Sequence, residues 1–266
     1  MSPRSADAAH RGERMAAILA LLRDQDSIAV ADLARRFGVS QATLRRDLTL
    51  LEDQGLLVRR YGVAIATESG AEVPVAYRDR RSKAQKRAVA ETAASLLPFG
   101  PQSVGLTGGS TTAEIARVLS ARVDLVVVTN ALNIAMELAT KPRIRVVVSG
   151  GVARSQSTEL VGPWAEAALS QATIGTAYVG VDGIDADEIT THDVVEARTN
   201  AALIERAERV IVAADSSKIG HRYPGTMASL AAVHALVTDP GITEESRRIL
   251  EDAGVRVVVA LESARG

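Results

Sequence analysis

Residues 30–59 read VADLARRFGVSQATLRRDLTLLEDQGLLVR, and their periodicity decides how the N-terminal part of the chain folds. Val30, Leu33, Ala34 and Phe37 fall on one face of a helix. Gly38-Val39 makes a tight turn, and Ser40 is a good N-cap for a further helix. In that helix Leu44, Leu48 and Leu51 line one side, with Thr43, Arg46 and Asp47 expected away from it, and Gly55 is placed to stop it. Working outward, Met15, Ile18, Leu19 and Leu22 mark an earlier helix ahead of the polar break DQDS. On the other side, LLVRRYGVAIA reads as a hairpin with Gly62 in its turn.

Three short helices followed by a β-wing make a winged helix-turn-helix. Its physical use is to bring the capped end of the third helix into the major groove of double-stranded operator DNA. Ser40, Gln41, Thr43 and Arg45 then reach base edges or phosphates, while Arg46, Arg59 and Arg60 neutralise the backbone. The alternative is a helical dimerisation module whose arginines are merely solvated. Charge is distributed as DNA binding requires: residues 1–87 hold 16 Lys/Arg against 11 Asp/Glu, and residues 88–266 hold 15 against 21.

The 266 residues are enough for two domains, and 47% are apolar, so a sizeable core is available. The chain has no cysteine, which excludes disulfides and thiolate-held zinc and suits a reducing compartment. Four scattered histidines have no metal-ligand spacing, so neither metal nor cofactor is expected. Arg4, Arg11 and Arg14 precede the apolar run MAAILALL, but that run ends at RDQDS without a small-residue cleavage site. An amphipathic helix is the better reading than a signal peptide. No stretch approaches the roughly 20 apolar residues of a membrane span, and a cytoplasmic protein with no membrane partner is expected.

The expected organisation is a winged helix-turn-helix over 1–66, a connector over 67–87 and an effector and oligomerisation domain over 88–266. The connector contains Gly70, Pro74 and the basic run RDRRSKAQKR. Beyond it, the strand-like runs SVGL, VDLVVVT, RIRVVVSG, TAYVGVDG, RVIVAAD, HALVTD and VRVVVA alternate with amphipathic helical stretches. That alternation implies a mostly parallel, Rossmann-like α/β sheet covered on both faces. Ligands of such folds sit at the carboxyl ends of the strands.

The loops at those ends supply the candidate site. The first, GLTGGSTT at 105–112, lets backbone amides and the hydroxyls of Ser110, Thr111 and Thr112 face an anion around Thr107, Gly108 and Gly109. Asn130, Gly150, Gly151, Asp182, Gly183 and Asp215 come from the later loops, with Lys218 available to add charge. Together they predict a small phosphorylated sugar as ligand. The loop lacks the Gly-Lys-Ser/Thr ending of a Walker A motif and is not GxGxxG, so nucleoside triphosphates and nicotinamide cofactors are unsupported.

The segment VADLARRFGVSQATLRRDLTLLEDQGLLVR resembles the N-terminal domain of the DeoR family of bacterial transcriptional repressors. The body resembles that family's sugar-phosphate-binding domain in GGSTTAEIA, VVTNALNIA, VVVSGGVARSQSTELVGP, YVGVDGID and VVEARTNAALIERAERVIVAADSSKIG. The resemblance implies a repressor of a sugar catabolic operon, modulated by a phosphorylated intermediate, with a body of the phosphosugar-isomerase-like type. The chain departs from the family at Tyr61–Ala64, where members often read His-Gly-Gly-Ala, at Thr107, usually acidic, and at Asn200, usually lysine. Operators read one head per half-site call for a symmetric protein, hence a homodimer or homotetramer.

An enzyme reading stands beside this one. GGSTT and VDGIDADE resemble loops of ribose-5-phosphate isomerase, and Glu196 could then occupy the position of its proton-shuttling carboxylate. Those isomerases carry a lysine and a glycine run between acidic loop and glutamate, where this chain has ITTHDVV. Glu196 is therefore expected to bind a sugar hydroxyl or to cap local structure, and the chain is expected not to be an enzyme. A phosphosugar isomerase with a DNA-binding appendage, or a vestigial pocket serving assembly, are the alternatives.

Overall fold

The computed structural model describes residues 3–25, 27–53, 56–60, 62–66, 83–122 and 124–261. Gly55, Tyr61, the side chain of Arg60 and the connector from 67 to 82, with Gly70 and Pro74, lie outside the described residues. The chain divides into two compact units, Met1–Arg81 and Ser82–Gly266.

In the first unit, α1 (Pro3–Gln25), α2 (Val30–Phe37) and α3 (Gln41–Asp53) pack with β1 (Ser27–Ala29), β2 (Leu57–Arg60) and β3 (Val63–Ala66). The strands form an antiparallel sheet in the order β1-β3-β2. Ile18, Leu22, Leu33, Leu44, Leu48, Leu51 and Leu57 are sealed inside one cluster, so the apolar spacing of the sequence is the core. Gly38 ends α2 in the left-handed conformation that glycine adopts without strain, at φ 62°. The expected wing is present with a third strand, β1, drawn from the break between helices.

Asp47 departs from expectation. It is 1% exposed rather than turned to solvent with Thr43 and Arg46. It lies three residues after Leu44 and four before Leu51, so it borders the apolar face. Its carboxylate accepts hydrogen bonds from Arg11 Nε and Arg14 Nε, both at 2.7 Å. A buried charge is tolerated only with such partners. Two arginines that sequence counting assigned to a basic head thus tie α1 to α3.

The second unit is a seven-stranded sheet in the order β15-β14-β12-β9-β4-β5-β6, with every neighbouring pair parallel. Its strands are β4 (Gln102–Leu106), β5 (Leu125–Thr129), β6 (Ile144–Val148), β9 (Ile174–Val179), β12 (Ala207–Ala213), β14 (Ala235–Thr238) and β15 (Arg256–Val259). All seven correspond to the apolar runs of the sequence. The connecting helices are α4 (Lys83–Ser95), α5 (Ser110–Leu119), α6 (Leu132–Leu138), α7 (Pro163–Leu169), α8 (Val194–Ile204) and α9 (Glu244–Asp252). Helix α4 begins inside the stretch that sequence assigned to the connector.

Two buried clusters, one on each face, hold helices to the sheet. Tyr178 belongs to the first; its hydroxyl donates to Ala93 O of α4 at 3.2 Å, and burial pushes its phenol well above the ordinary value. Two smaller pieces were not anticipated. The hairpin β7 (Val152–Arg154) and β8 (Glu159–Val161) follows β6, and a sheet of β10 (Gly183–Ile184), β11 (Glu188–Thr191) and β13 (Gly225–Ser229) follows β9.

Candidate functional site

The strand order places the site. From β4 the chain adds β5 and β6 on one side, and from β9 it adds β12, β14 and β15 on the other. The direction reverses between β4 and β9, and the crevice of an open parallel sheet lies outside the carboxyl ends of such a pair. There the loop Thr107–Gly109 meets Gly180. Thr107 N–H donates to Tyr178 O at 3.3 Å, and Gly180 N–H donates to Thr107 Oγ1 at 3.0 Å. Thr107 thus serves as a neutral strap between the two loops.

Gly109 has φ 127° and ψ 158°, a backbone conformation that a side chain does not permit. It turns the chain into α5, whose first internal bond runs from Ala113 N–H to Gly109 O at 3.1 Å. The amides of Ser110, Thr111 and Thr112 precede that bond and have no carbonyl of their own helix to meet. They point out of a helix N-terminus, the arrangement that favours an anion. Ser110 and Thr111 lie at the rim, each 9% exposed. Thr112 is sealed, and its hydroxyl donates to Gly109 O at 2.9 Å, so it closes the loop from beneath.

Behind the loop lies a polar network that sequence reasoning did not find. Glu159, on β8, is 1% exposed and presses its carboxylate on Gly108: a Cβ at Gly108 would lie 2.0 Å from Glu159 Oε1. Glu159 Oε2 accepts from Asn200 Nδ2 at 3.3 Å, and Asn200 Oδ1 accepts from Asn130 Nδ2 at 2.9 Å. The carboxylate only accepts, so it fixes the orientation of both amides in turn. Asn130 Oδ1 is left buried without a hydrogen-bond partner.

The acidic loop makes a second cluster. Thr191 Oγ1 lies 2.9 Å from both Asp182 Oδ2 and Glu196 Oε1, and Asp182 Oδ2 also meets His192 Nδ1 at 2.8 Å. Lys218 Nζ stands 3.6 Å from Asp182 Oδ1. Arg154, from β7, donates to Glu196 Oε2 at 3.0 Å and pairs with Asp193 Oδ2 at 3.3 Å. Asp193 caps α8, accepting from Val195 and Glu196 amides at 2.9 Å. Burial alone would raise the Asp193 carboxyl; the Glu196 amide, Arg154 and the Val195 amide outweigh it and hold the carboxyl below its ordinary value.

Of the residues named from sequence, Thr107, Gly108, Gly109, Thr112 and Asn130 take part in the network around the first loop, and Asp182, Glu196 and Lys218 in the acidic cluster. Gly183 pairs with Thr190 in the small sheet. Gly150 and Gly151 form the turn between β6 and β7. Asp215 turns onto its own loop, accepting from Ser217 N–H at 3.2 Å, and so shapes the short turn that carries Lys218. Arg154, Glu159 and Thr191 were missed because they lie in strands too short to show a period, and His192 because it lies in the bend after one.

In the first unit, Ser40 caps α3: Thr43 N–H donates to Ser40 Oγ at 3.1 Å, and the two hydroxyls lie 2.9 Å apart. Gln41, Arg45 and Arg46 are exposed, and neither arginine has an ion-pair partner among the described residues. Arg59 is differently placed. Its Nε donates to Glu52 Oε2 at 2.7 Å and its amide to Glu52 Oε1 at 2.9 Å, fastening the wing to α3. Arg59 beside Glu52 holds that carboxyl below its ordinary value.

Family models place these two units. The DeoR-like helix-turn-helix domain matches residues 14–70, and the DeoR C terminal sensor domain matches residues 81–240. The chain belongs to the DeoR family. Among relatives of this DeoR-family protein is a putative aga operon transcriptional repressor of Escherichia coli O157:H7, 36% identical over 94% of each chain. The transcriptional repressor AccR of Agrobacterium fabrum is 34% identical over 93% of this chain and 97% of its own. The glycerol-3-phosphate regulon repressor of Escherichia coli K12 is 30% identical over 92% of this chain and 97% of its own. Among solved structures, ribose 5 phosphate isomerase A from Neisseria gonorrhoeae aligns with 52% of this chain and 53% of its own at 18% identity and a TM-score of 0.36. A likeness so distant transfers no catalytic role. No helix of the described residues is long and apolar enough to cross a membrane.

Proposed function

We propose that this DeoR-family protein is a cytoplasmic transcriptional repressor of a carbohydrate operon whose body binds a phosphorylated sugar and thereby changes the head's grip on operator DNA. One observation carries the reading: the free amides of the Ser110–Thr112 turn stand at the sheet's switch point, beside carboxylates and amides suited to sugar hydroxyls. The phosphate goes to Gly108–Thr112; Asp182, Glu196 and the Asn130 amide orient hydroxyls; Arg154 and Lys218 balance the local acids. In the head, Gln41, Thr43 and Arg45 face base edges from a helix capped by Ser40, with Arg46, Arg59 and Arg60 on the backbone. Names of relatives that refer to the glycerol-3-phosphate regulon and the aga operon favour this substrate class.

Glu196 bears on the isomerase alternative. Both its oxygens are held, one by Thr191 and one by Arg154. A carboxylate whose two oxygens are both engaged by protein donors is held away from the role of a proton shuttle, which favours binding over catalysis. We assign the head to 1–66, the connector to 67–87 and the effector domain to 88–266. The experiment is a panel of sugar phosphates and their parents tested for binding, for isomerisation and for effect on DNA selected from a random library. Isomerisation at an enzyme's rate would displace the regulator reading.

A further inference from the structure

Glu159 and Asn200 fix which atom of Asn130 is left for a ligand. An ionised carboxylate offers only acceptors, so the group that Asn200 turns to Glu159 Oε2 is its Nδ2, at 3.3 Å. Asn200 Oδ1 then faces the other way and accepts from Asn130 Nδ2 at 2.9 Å. One polar atom of the Asn130 side chain remains, Oδ1, and it is an acceptor. The three residues are at most 2% exposed, so bulk water does not compete for these bonds.

Asn130 Oδ1 is buried without a hydrogen-bond partner among the described residues. Buried polar side-chain atoms are nearly always bonded, so such an atom marks a place where a donor belongs. Its position narrows the choice of donor. Thr129 is paired with Leu106 across β5 and β4, and its hydroxyl donates to Leu106 O at 2.7 Å. Asn130 and Thr107 are the next residues of those two strands, while Glu159, at the other end of the relay, presses on Gly108. Acceptor and phosphate loop therefore stand side by side at the switch point. Asn133 Oδ1 and Ser157 Oγ are also buried and unpartnered. They belong to the same corner, where Leu132 N–H donates to Thr158 O at 3.0 Å and Ala131 bridges to Glu159. Three of the four such atoms among the described residues thus gather where α6 begins.

We propose that Asn130 Oδ1 selects a phosphorylated sugar or polyol with a free hydroxyl near its phosphate, against forms in which that carbon carries a keto oxygen, fluorine or hydrogen alone. Glu159 and Asn200 are positioning residues that act through Asn130. An unanchored amide would meet a hydroxyl or a carbonyl by turning over; one anchored to a carboxylate only accepts. Set against a carbonyl, it would place two acceptors face to face in a buried site, and set against a methylene it would stay unpaired. Sites that hold a substrate hydroxyl in this way reject the analogue without it far more strongly than apolar pockets reject a change of size. This selection rests on the sugar-phosphate reading above and adds the polarity of one contact.

Calorimetry on the full-length protein supplies the test. Glycerol 3-phosphate, ribose 5-phosphate, glucose 6-phosphate and galactose 6-phosphate are titrated. The tightest binder is then compared with forms in which one hydroxyl is replaced by a keto oxygen or by fluorine, neither of which donates. At one position the wild type loses at least about tenfold in affinity, the effect of a buried acceptor left unpaired. Glu159→Gln keeps the shape of the side chain and can donate to Asn200 Oδ1, so both amides are free to turn over and Asn130 can present its NH2. In that variant the hydroxyl form still binds and the penalty at the same position falls below about threefold. Asn200→Leu cuts the relay without altering Asn130 and gives the same relief, which keeps the test open if Glu159→Gln does not fold; circular dichroism reports folding. Equal affinity of hydroxyl, keto and fluoro forms in the wild type overturns the proposal and leaves the acceptor to a buried water. An undiminished penalty in the folded variants overturns it as well, because the discrimination then comes from elsewhere. Failure of all four phosphates to bind counts instead against the sugar-phosphate reading, and the selection falls with it.

Discussion

The two units arrange their chemistry in opposite ways. The residues assigned to DNA in the first unit, Gln41, Arg45 and Arg46, stand on the outside of a helix whose other face is pure leucine. Those assigned to the ligand in the second unit, Asn130, Asp182 and Glu196, are at most 6% exposed and held by polar neighbours, Asp182 and Glu196 by Thr191 and Asn130 by Asn200. A flat polyanion is met by side chains that project and cost the fold little. A small ligand is enclosed by groups already desolvated and oriented. Substitution in the first set should change binding alone, while substitution in the second should change binding and stability together.

The exception in the head breaks that comparison most strongly. Asp47 is enclosed with Arg11 and Arg14, and Arg14 is itself only 13% exposed. Asp47→Ala leaves those cations without their counter-ion and should destabilise the head by about 3 kcal/mol, the low end for a severed buried pair because Arg11 is partly solvated. Chemical denaturation of the full chain measures it. A loss under about 1 kcal/mol would make Asp47 an ordinary surface acid.

In the body, Gly108→Ala drives a methyl group into the Glu159 carboxylate and should cost about 1–3 kcal/mol. The same change in a Glu159→Ala background should cost less, because the obstacle has gone. Equal costs in both backgrounds would remove the close approach of loop and carboxylate from the account.

Smaller again is the cap of α8. Asp193→Ala should cost about 1 kcal/mol. Because the folded Asp193 carboxyl lies below its ordinary value of 3.8, its contribution is complete above that value and disappears as pH falls through the folded one. The difference between wild type and Asp193→Ala should therefore shrink below about pH 4. A difference that grows on acidification would reverse the sign of the argument.

How much of this was legible depends on the length of the pattern. Seven apolar runs became seven strands because the inner ones are buried on both faces and the two edge strands, β6 and β15, continue the same parallel sheet. The leucines of α3 became core because a period of three to four over a whole helix leaves little choice. Asp47 was misplaced because a residue on the border of an apolar face goes inward when two arginines wait there. The arginines come from positions 11 and 14, more than thirty residues away. Glu159 and Arg154 were invisible for a related reason. A three-residue strand has no period, and their meaning comes from Gly108 and Glu196, which only the folded sheet brings near. Glycine, hydroxyl and amide at strand ends could be read because those positions follow from the sheet alone.

The least costly change to the fold sharpens the other side of the comparison. Arg46→Ala should weaken binding to operator and random DNA alike and flatten the log–log salt dependence by about 0.9. Arg59→Ala should also release Glu52 and loosen the wing on α3. An unchanged salt slope for Arg46→Ala would take that residue off the backbone.

The central claim is that the enclosed site in the body and the open surface in the head are coupled through a phosphorylated ligand. Calorimetric titration of a sugar phosphate and of its parent sugar, each with and without operator DNA, tests it directly. Loss of the phosphate should cost at least about a hundredfold in affinity, since hydrogen bonds to a charged group contribute roughly 1.5–3 kcal/mol each. The sugar phosphate and the operator should alter each other's affinity by one common factor, as linkage requires. A parent sugar that binds as tightly as its phosphate, or a sugar-phosphate affinity indifferent to operator DNA, would contradict the account.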